Sequence, residues 1–182
     1  MDTSMGFTPL EGLVMGTRCG DIDPALVLYV MAKENLTVAE ATAMLNKHSG
    51  LAGISGISSD MREIIKGTEE GRERARLALQ VFTYRIKKYV GAYAAAMGGV
   101  DAVAFTGGIG SNSPLVRAES LSGLDFLGLE IDIARNDECI GCDGEISSPR
   151  SKVKVFSVVT NEELVIALDT ERIVNASDQC RR

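Results

Sequence analysis

Four short segments hold residues whose types and spacing permit chemistry. Thr106-Gly107-Gly108-Ile109-Gly110-Ser111-Asn112 follows an apolar run and precedes a helix start at Ser113-Pro114. Such a turn lets backbone N–H groups come close to a phosphate or ribose, because glycine has no Cβ and a helix N-terminus favours anions. It is not a Walker A loop, since no Gly-Lys-Ser/Thr follows, nor a dinucleotide fingerprint, whose third glycine would fall at Ser113. A tight strand-to-helix turn accounts for it equally well. Met15-Gly16-Thr17-Arg18-Cys19-Gly20 sets one arginine between two glycines. A planar guanidinium suits carboxylate or phosphate oxygens; the alternative is a loop ion pair with Asp21 or Asp23. Thr160-Asn161-Glu162-Glu163 offers a carboxylate, Glu162, at the C-terminal edge of a strand, where open α/β sheets bind ligands. It is placed to approach a hydrated Mg2+, or else is an acid favoured by a helix N-terminus. Cys139-Ile140-Gly141-Cys142 is a CxxC. A zinc site needs two further ligands and the one histidine, His48, lies far upstream, so a cysteine pair in a polar loop is the reading.

The elements that position these segments are marked by strong boundary signals. Thr8-Pro9-Leu10-Glu11 and Thr37-Val38-Ala39-Glu40 both have capping-box spacing, and Asp23-Pro24 opens a helix between them. The arginine segment is thereby expected in a loop joining two capped helices. The helix from Thr37 should end near Ser49-Gly50, with His48 at its C-terminus. Residues 51–59 read as a Gly-Ser-rich loop, and 69–97 as one long helix with Ala78, Phe82, Ile86, Tyr89, Val90, Tyr93 and Met97 on its apolar face. Ala102-Val103-Ala104-Phe105 is a continuous apolar run, expected as a strand covered on both faces. Val153 to Val158 is a second strand, and a capping box at Thr160 and Glu163 opens the last helix. Strand, turn, helix occurs twice, which is the α/β class. The tail 176–182 is expected to fray.

Composition narrows the function classes. The 182 residues are 45% hydrophobic and 24% charged, a globular balance, and fit one domain. A formal charge of −6 argues against nucleic-acid binding, which selects basic surfaces, but leaves room for a small anion held locally. No apolar run approaches the roughly 18 residues of a membrane span, and no signal peptide is read at Met1-Asp2-Thr3-Ser4. Four scattered cysteines are not a disulfide framework, so the expected location is the reducing cytoplasm.

The order of the motifs adds what none supplies alone. Thr3-Ser4-Met5-Gly6-Phe7-Thr8-Pro9-Leu10-Glu11-Gly12, Met15-Gly16-Thr17-Arg18, Gly20-Asp21-Ile22-Asp23-Pro24, Phe105-Thr106-Gly107-Gly108-Ile109-Gly110 and Thr160-Asn161-Glu162-Glu163 occur in the sequence of the acetate kinases. The chain resembles the C-terminal half of that family from Asp2 to about Val174. The resemblance implies a ribonuclease-H-like, actin-like ATPase domain with a mixed sheet and flanking helices. It implies reversible transfer of the ATP γ-phosphoryl group to acetate with Mg2+, and a homodimer. It also implies residue roles. Arg18 resembles the catalytic arginine, countering charge on the transferring phosphoryl group and the acetate. Asp60, Met61 and Arg62 match the segment beside the adenosine. Gly108, Ile109, Gly110, Ser111 and Asn112 match a second nucleotide loop, and Glu162 the Mg2+-associated glutamate.

Two departures qualify it. Ser111 stands where the family typically has glutamate, and the family's N-terminal domain, with its own phosphate loop and catalytic aspartate, is expected to be absent. The chain then reads as a truncated product or one part of a split enzyme. The alternatives are a propionate- or butyrate-preferring kinase half, or a nucleotide-binding or dimerising fragment without turnover.

Overall fold

The computed structural model describes residues 2–179, apart from the side chains of Glu162 and residues 176–179. Twelve named elements follow one another: α1 (Pro24–Glu34), α2 (Val38–Lys47), α3 (Gly50–Ser55), α4 (Met61–Glu69), α5 (Glu73–Met97), β1 (Ala102–Phe105), α6 (Gly107–Asn112), α7 (Pro114–Leu121), α8 (Ile133–Glu138), β2 (Gly144–Glu145), β3 (Lys154–Ser157) and α9 (Glu162–Gln179). The strands form one mixed sheet in the order β1-β3-β2. β1 and β3 run parallel with Phe105 opposite Ser157, and β2 pairs antiparallel with β3. Among the described residues no helix is long and apolar enough to cross a membrane.

Two apolar clusters hold the elements together. One underlies the sheet and contains Phe105, Leu121, Leu129, Ile146, Val153 and Val155. The other joins helices through Leu51, Met61, Ile64, Leu79, Phe82 and Val116. Ile86 of α5 packs against both, so the long helix ties the sheet to the helical part. Burying each large aliphatic or aromatic chain stabilises by roughly 1.5–3 kcal/mol, which makes α5 the main brace.

The boundary signals were followed unevenly. Asp23 caps α1 by accepting from the Ala25 N–H, and Thr37 and Glu40 form the reciprocal box at α2, which ends with His48 as its C-cap. Thr8 opens no helix: its hydroxyl accepts from Leu10 at 3.2 Å, not from Glu11, and residues 2–23 are irregular. The Glu11 carboxylate lies against Gly6, so the reciprocal box that Thr37 and Glu40 form is missing here. Residues 51–55, expected within a Gly-Ser-rich loop over 51–59, belong to α3, and Leu51 is fully buried there. The long helix expected over 69–97 is α5, which ends at Met97 and starts at Glu73, four residues later than expected, because Gly71 turns the chain at φ +78° after α4 ends at Glu69. β1 is covered on one face only, since Ala102 and Ala104 are exposed. At the last helix the cap is Asn161, whose Oδ1 accepts from Leu164 at 3.0 Å, and not Thr160. Of the tail expected to fray, the backbone of 176–179 belongs to α9, and 180–182 lie outside the described residues.

Candidate functional site

Because β1 and β3 are parallel neighbours, the turns that follow them leave the same sheet edge; the Val158 N–H donates to the Phe105 carbonyl at 2.9 Å just beyond their last pair. After β1 the glycine turn winds into the single helical run α6. Gly107 has φ +73°, which glycine alone adopts without strain. Gly108 lies outside that region and is exposed, and a Cβ on it would meet nothing within 4 Å. Nothing inside the chain requires glycine at 108. The side chains at the end of the turn bond back to its own backbone. Ser111 is buried, and its Oγ donates to the Gly107 carbonyl at 2.7 Å. Asn112 Nδ2 donates to the Gly108 carbonyl at 2.9 Å and to Ser111 Oγ at 3.0 Å. Ile109 packs on the helical cluster. Ser111, Asn112 and Ile109 therefore shape the turn, and Gly108 is exposed with no side chain over its backbone.

A buried cation holds this turn from beneath. Arg117 of α7 is completely buried, and its guanidinium donates to the carbonyls of Gly110 (2.8 Å), Ser111 (3.1 Å), Asn136 (2.7 Å) and Cys139 (2.7 Å), and to Asn136 Oδ1 (2.8 Å). Burial lowers its pKa from the ordinary value, and the carbonyl dipoles replace the water it has lost. Nothing in the sequence marks Arg117, since arginines are mostly exposed.

The Arg18 segment is folded back on the α2–α3 junction. Leu51 N donates to the Met15 carbonyl and Ala52 N to Gly16, both at 2.9 Å, and Ser49 N donates to Thr17 at 3.0 Å. Gly50 makes this approach possible: its φ is +61°, and a Cβ would stand 2.2 Å from the Met15 oxygen and 2.7 Å from that of Arg18. Neither proposed ion-pair partner is available to Arg18. Asp21 accepts from Arg85, from the Tyr89 hydroxyl and from the Gly12 N–H, while Asp23 caps α1. Burial, then the hydrogen bond to Asp21, pushes the Tyr89 phenol up to about 12. Among the described residues the Arg18 guanidinium keeps only Met15 Sδ, at 3.6 Å. It borders an open cleft of about 780 Å³ also lined by Thr8, Thr17, Thr42, Asn46 and Lys47, with no acidic residue on the wall. In a chain of net charge −6, this cleft presents two cations.

Asp60, Met61 and Arg62 open α4 and divide between two roles. Met61 is buried in the helical cluster, so its side chain does not face a ligand. Asp60 caps the helix through the Arg62 N–H and pairs with the exposed Arg62 guanidinium at 2.6 Å. The Arg62 hydrogen bonds hold its carboxyl at about 2, below the ordinary 3.8. Gly16 abuts Ser59, where a Cβ would stand 3.1 Å from the carbonyl oxygen. Leu51, Met61 and Ile109 share one cluster, so the arginine segment, the start of α4 and the glycine turn rest on a common apolar base. Glu162 begins α9 at the same sheet edge as the glycine turn, but its side chain lies outside the described ones. Among the described residues no three His, Cys, Asp or Glu side chains converge as a metal cage.

The family model of the acetokinase family matches residues 1–168. The chain belongs to the acetokinase family. Its acetokinase relatives include the acetate kinase of Halothermothrix orenii, 56% identical over 97% of this chain, and that of Thermotoga maritima, 56% identical over 96%. The chain spans about 44% of the length of these curated relatives. Among solved structures, Porphyromonas gingivalis acetate kinase superposes with a TM-score of 0.89 at 49% identity, covering 94% of this chain and 43% of that one. A propionate kinase from Francisella tularensis superposes at 0.85 with 44% identity, covering 92% and 42%. The acetokinase chain therefore has the actin-like ATPase fold of its structural neighbours, α/β with a mixed sheet and flanking helices.

Proposed function

We propose that this chain is the C-terminal half of an acetate kinase, which transfers the γ-phosphoryl group of ATP to acetate and completes its site with a second half of the protein. The observation that carries the reading is the Arg18 cleft, with two cations and no acid on its wall and a guanidinium without a carboxylate partner. In the reaction an acetate oxygen forms a bond to the γ-phosphorus while the bond to the bridging oxygen of ADP breaks, and no net proton transfer is needed. Negative charge spreads over the equatorial oxygens, and a preorganised guanidinium stabilises it.

The nucleotide lies over the sheet edge in this reading, its phosphates close to the Gly108–Gly110 backbone, and Asp60 and Arg62 border the adenosine. Glu162 would be the one protein carboxylate beside a Mg2+ bound with the nucleotide, and the metal would supply charge neutralisation on the phosphates there. Free thiols at Cys19, Cys139 and Cys142 accord with a reducing cytoplasm. Likeness to a propionate kinase supports a second acyl preference. Activity on acetate, propionate and butyrate compared side by side decides between them.

The test is acetyl phosphate formation from acetate and ATP, with this chain assembled with its complementary half. Arg18→Ala should lower the rate by roughly 10²–10³-fold, and Arg18→Lys should restore only part of it, since lysine keeps the charge and loses the fork. An Arg18→Ala rate within twofold of the parent contradicts the assignment.

A further inference from the structure

The CxxC segment lies directly against the glycine turn, and no role proposed above uses it. Cys139 is buried in the sheet cluster while Cys142 is exposed. Their sulfurs stand 3.1 Å apart, and Cys139 Sγ also lies 3.3 Å from the Cys142 carbonyl. No third metal-binding side chain joins them among the described residues. The pair is a preassembled dithiol with one solvent-facing and one sheltered member.

We propose that Cys139 and Cys142 are a redox modification site, closing to a reversible intramolecular disulfide by exchange with a low-molecular-weight disulfide, and that closure weakens nucleotide binding at the glycine turn. The first part stands on the cysteine geometry alone, and the second rests on the nucleotide reading of that turn. The exposed Cys142 thiolate attacks one sulfur of the small disulfide and expels one thiolate, leaving a mixed disulfide on Cys142. The Cys139 thiolate then attacks Cys142 Sγ and expels the second. Two protein thiols are oxidised, one disulfide is reduced to two small thiols, and the two protons from the cysteines end on those thiols. The hydrogen bond shared with Cys139, then partial desolvation, holds the Cys142 thiol above its ordinary value. Exchange is therefore slow, as suits a sensor of sustained redox poise rather than a turnover catalyst.

The coupling runs through short contacts. A disulfide is about 2 Å long, so closure draws the sulfurs together by about 1 Å. The Gly141 N–H between them donates to the Ser111 carbonyl at 2.9 Å, and a Cβ on Gly141 would stand 3.0 Å from Asn112 Oδ1. Arg117 holds the Cys139 carbonyl and those of Gly110 and Ser111 with the same guanidinium. Displacing residues 139–142 therefore displaces the end of the glycine turn, because both loops hang on one buried cation.

The experiment equilibrates the full chain with graded ratios of oxidised to reduced glutathione. It reads two quantities on each sample: loss of two hydrogens from the peptide carrying both cysteines, and Mg-ATP affinity by calorimetry. The expected result is a ring that dithiothreitol reopens, with affinity at least tenfold weaker in the oxidised sample and recovered on reduction. Cys142→Ser should bind equally in both. A stable mixed disulfide on Cys142, or no modification, overturns the site. A closed ring with unchanged affinity overturns the coupling. If the reduced chain binds no nucleotide, the nucleotide reading fails by itself. Amide exchange at Ser111 and Asn112 then judges the ring: altered protection on oxidation supports contact between the loops, and unaltered protection overturns it.

Discussion

Asp60 and Arg62 show how a pair of neighbouring charges can be tested without any ligand. Hydrogen bonds from Arg62 hold the Asp60 carboxyl at about 2, so its contribution to stability is present above the ordinary pKa of 3.8 and is lost as pH falls through about 2. A carboxyl-detected NMR titration should place the Asp60 midpoint near 2, and Arg62→Gln should raise it toward 3.8. A midpoint unmoved by that substitution means that the pair does not form in solution. Single residues also mark how far sequence reached. Arg18 stood out as a candidate because its type, its flanking glycines and the order of the surrounding motifs agree. Its freedom from Asp21 was not legible, since that depends on Arg85 and Tyr89, both more than sixty residues later. Met61 and Ile109 were assigned to the nucleotide with their neighbours, whereas their side chains fill the helical cluster. A motif names a segment, and the alternation of inward and outward side chains within it is set by packing. Arg117 gave no signal, because a buried arginine satisfied by carbonyls has no sequence signature.

Elements were read best where the cap's own hydrogen bonds form. The box at Thr37 and the Asp23-Pro24 start both lead into helices, and both strands appear with little change of boundary. The matching signal at Thr8 opens no helix, since the Thr8 hydroxyl accepts from Leu10 and not from Glu11, and the reciprocal box does not form. The error at α3 is the converse: a composition of Gly, Ser and Ile suggests loop, and burial of Leu51 overrides it. Gly50 at the head of α3 is where backbone conformation positions the site. Gly50→Ala forces a side chain into the left-handed region and against two carbonyls of the arginine segment. It should cost at least about 3 kcal/mol and lower the melting temperature accordingly. An unchanged melting curve would show that the Met15–Arg18 segment is not seated on α3.

At the scale of the whole molecule, the fold class followed from two strand-turn-helix units, while the mixed pairing rests on a two-residue β2 too short to detect by pattern. The outer helices leave apolar surface open: Leu28 and Tyr29 on α1, and Val165, Ile166 and Ile173 on α9. Surfaces of this kind mark interfaces, and we expect the chain to self-associate as a homodimer. Light scattering should give twice the 19.4 kDa chain mass, and a clean monomer contradicts it. The central claim is that the glycine turn at the sheet edge receives a nucleotide, and Gly108 isolates it. A Cβ at this position meets nothing within 4 Å, so Gly108→Val is expected to leave the fold intact while occupying the space kept for the ligand. Calorimetry of Mg-ATP binding to the parent and to Gly108→Val, with melting curves recorded for both, is the most direct measurement. The account predicts equal melting temperatures and at least tenfold weaker binding by the variant. Equal binding by the two proteins would contradict it, and would mean that the turn closes a strand without holding a phosphate.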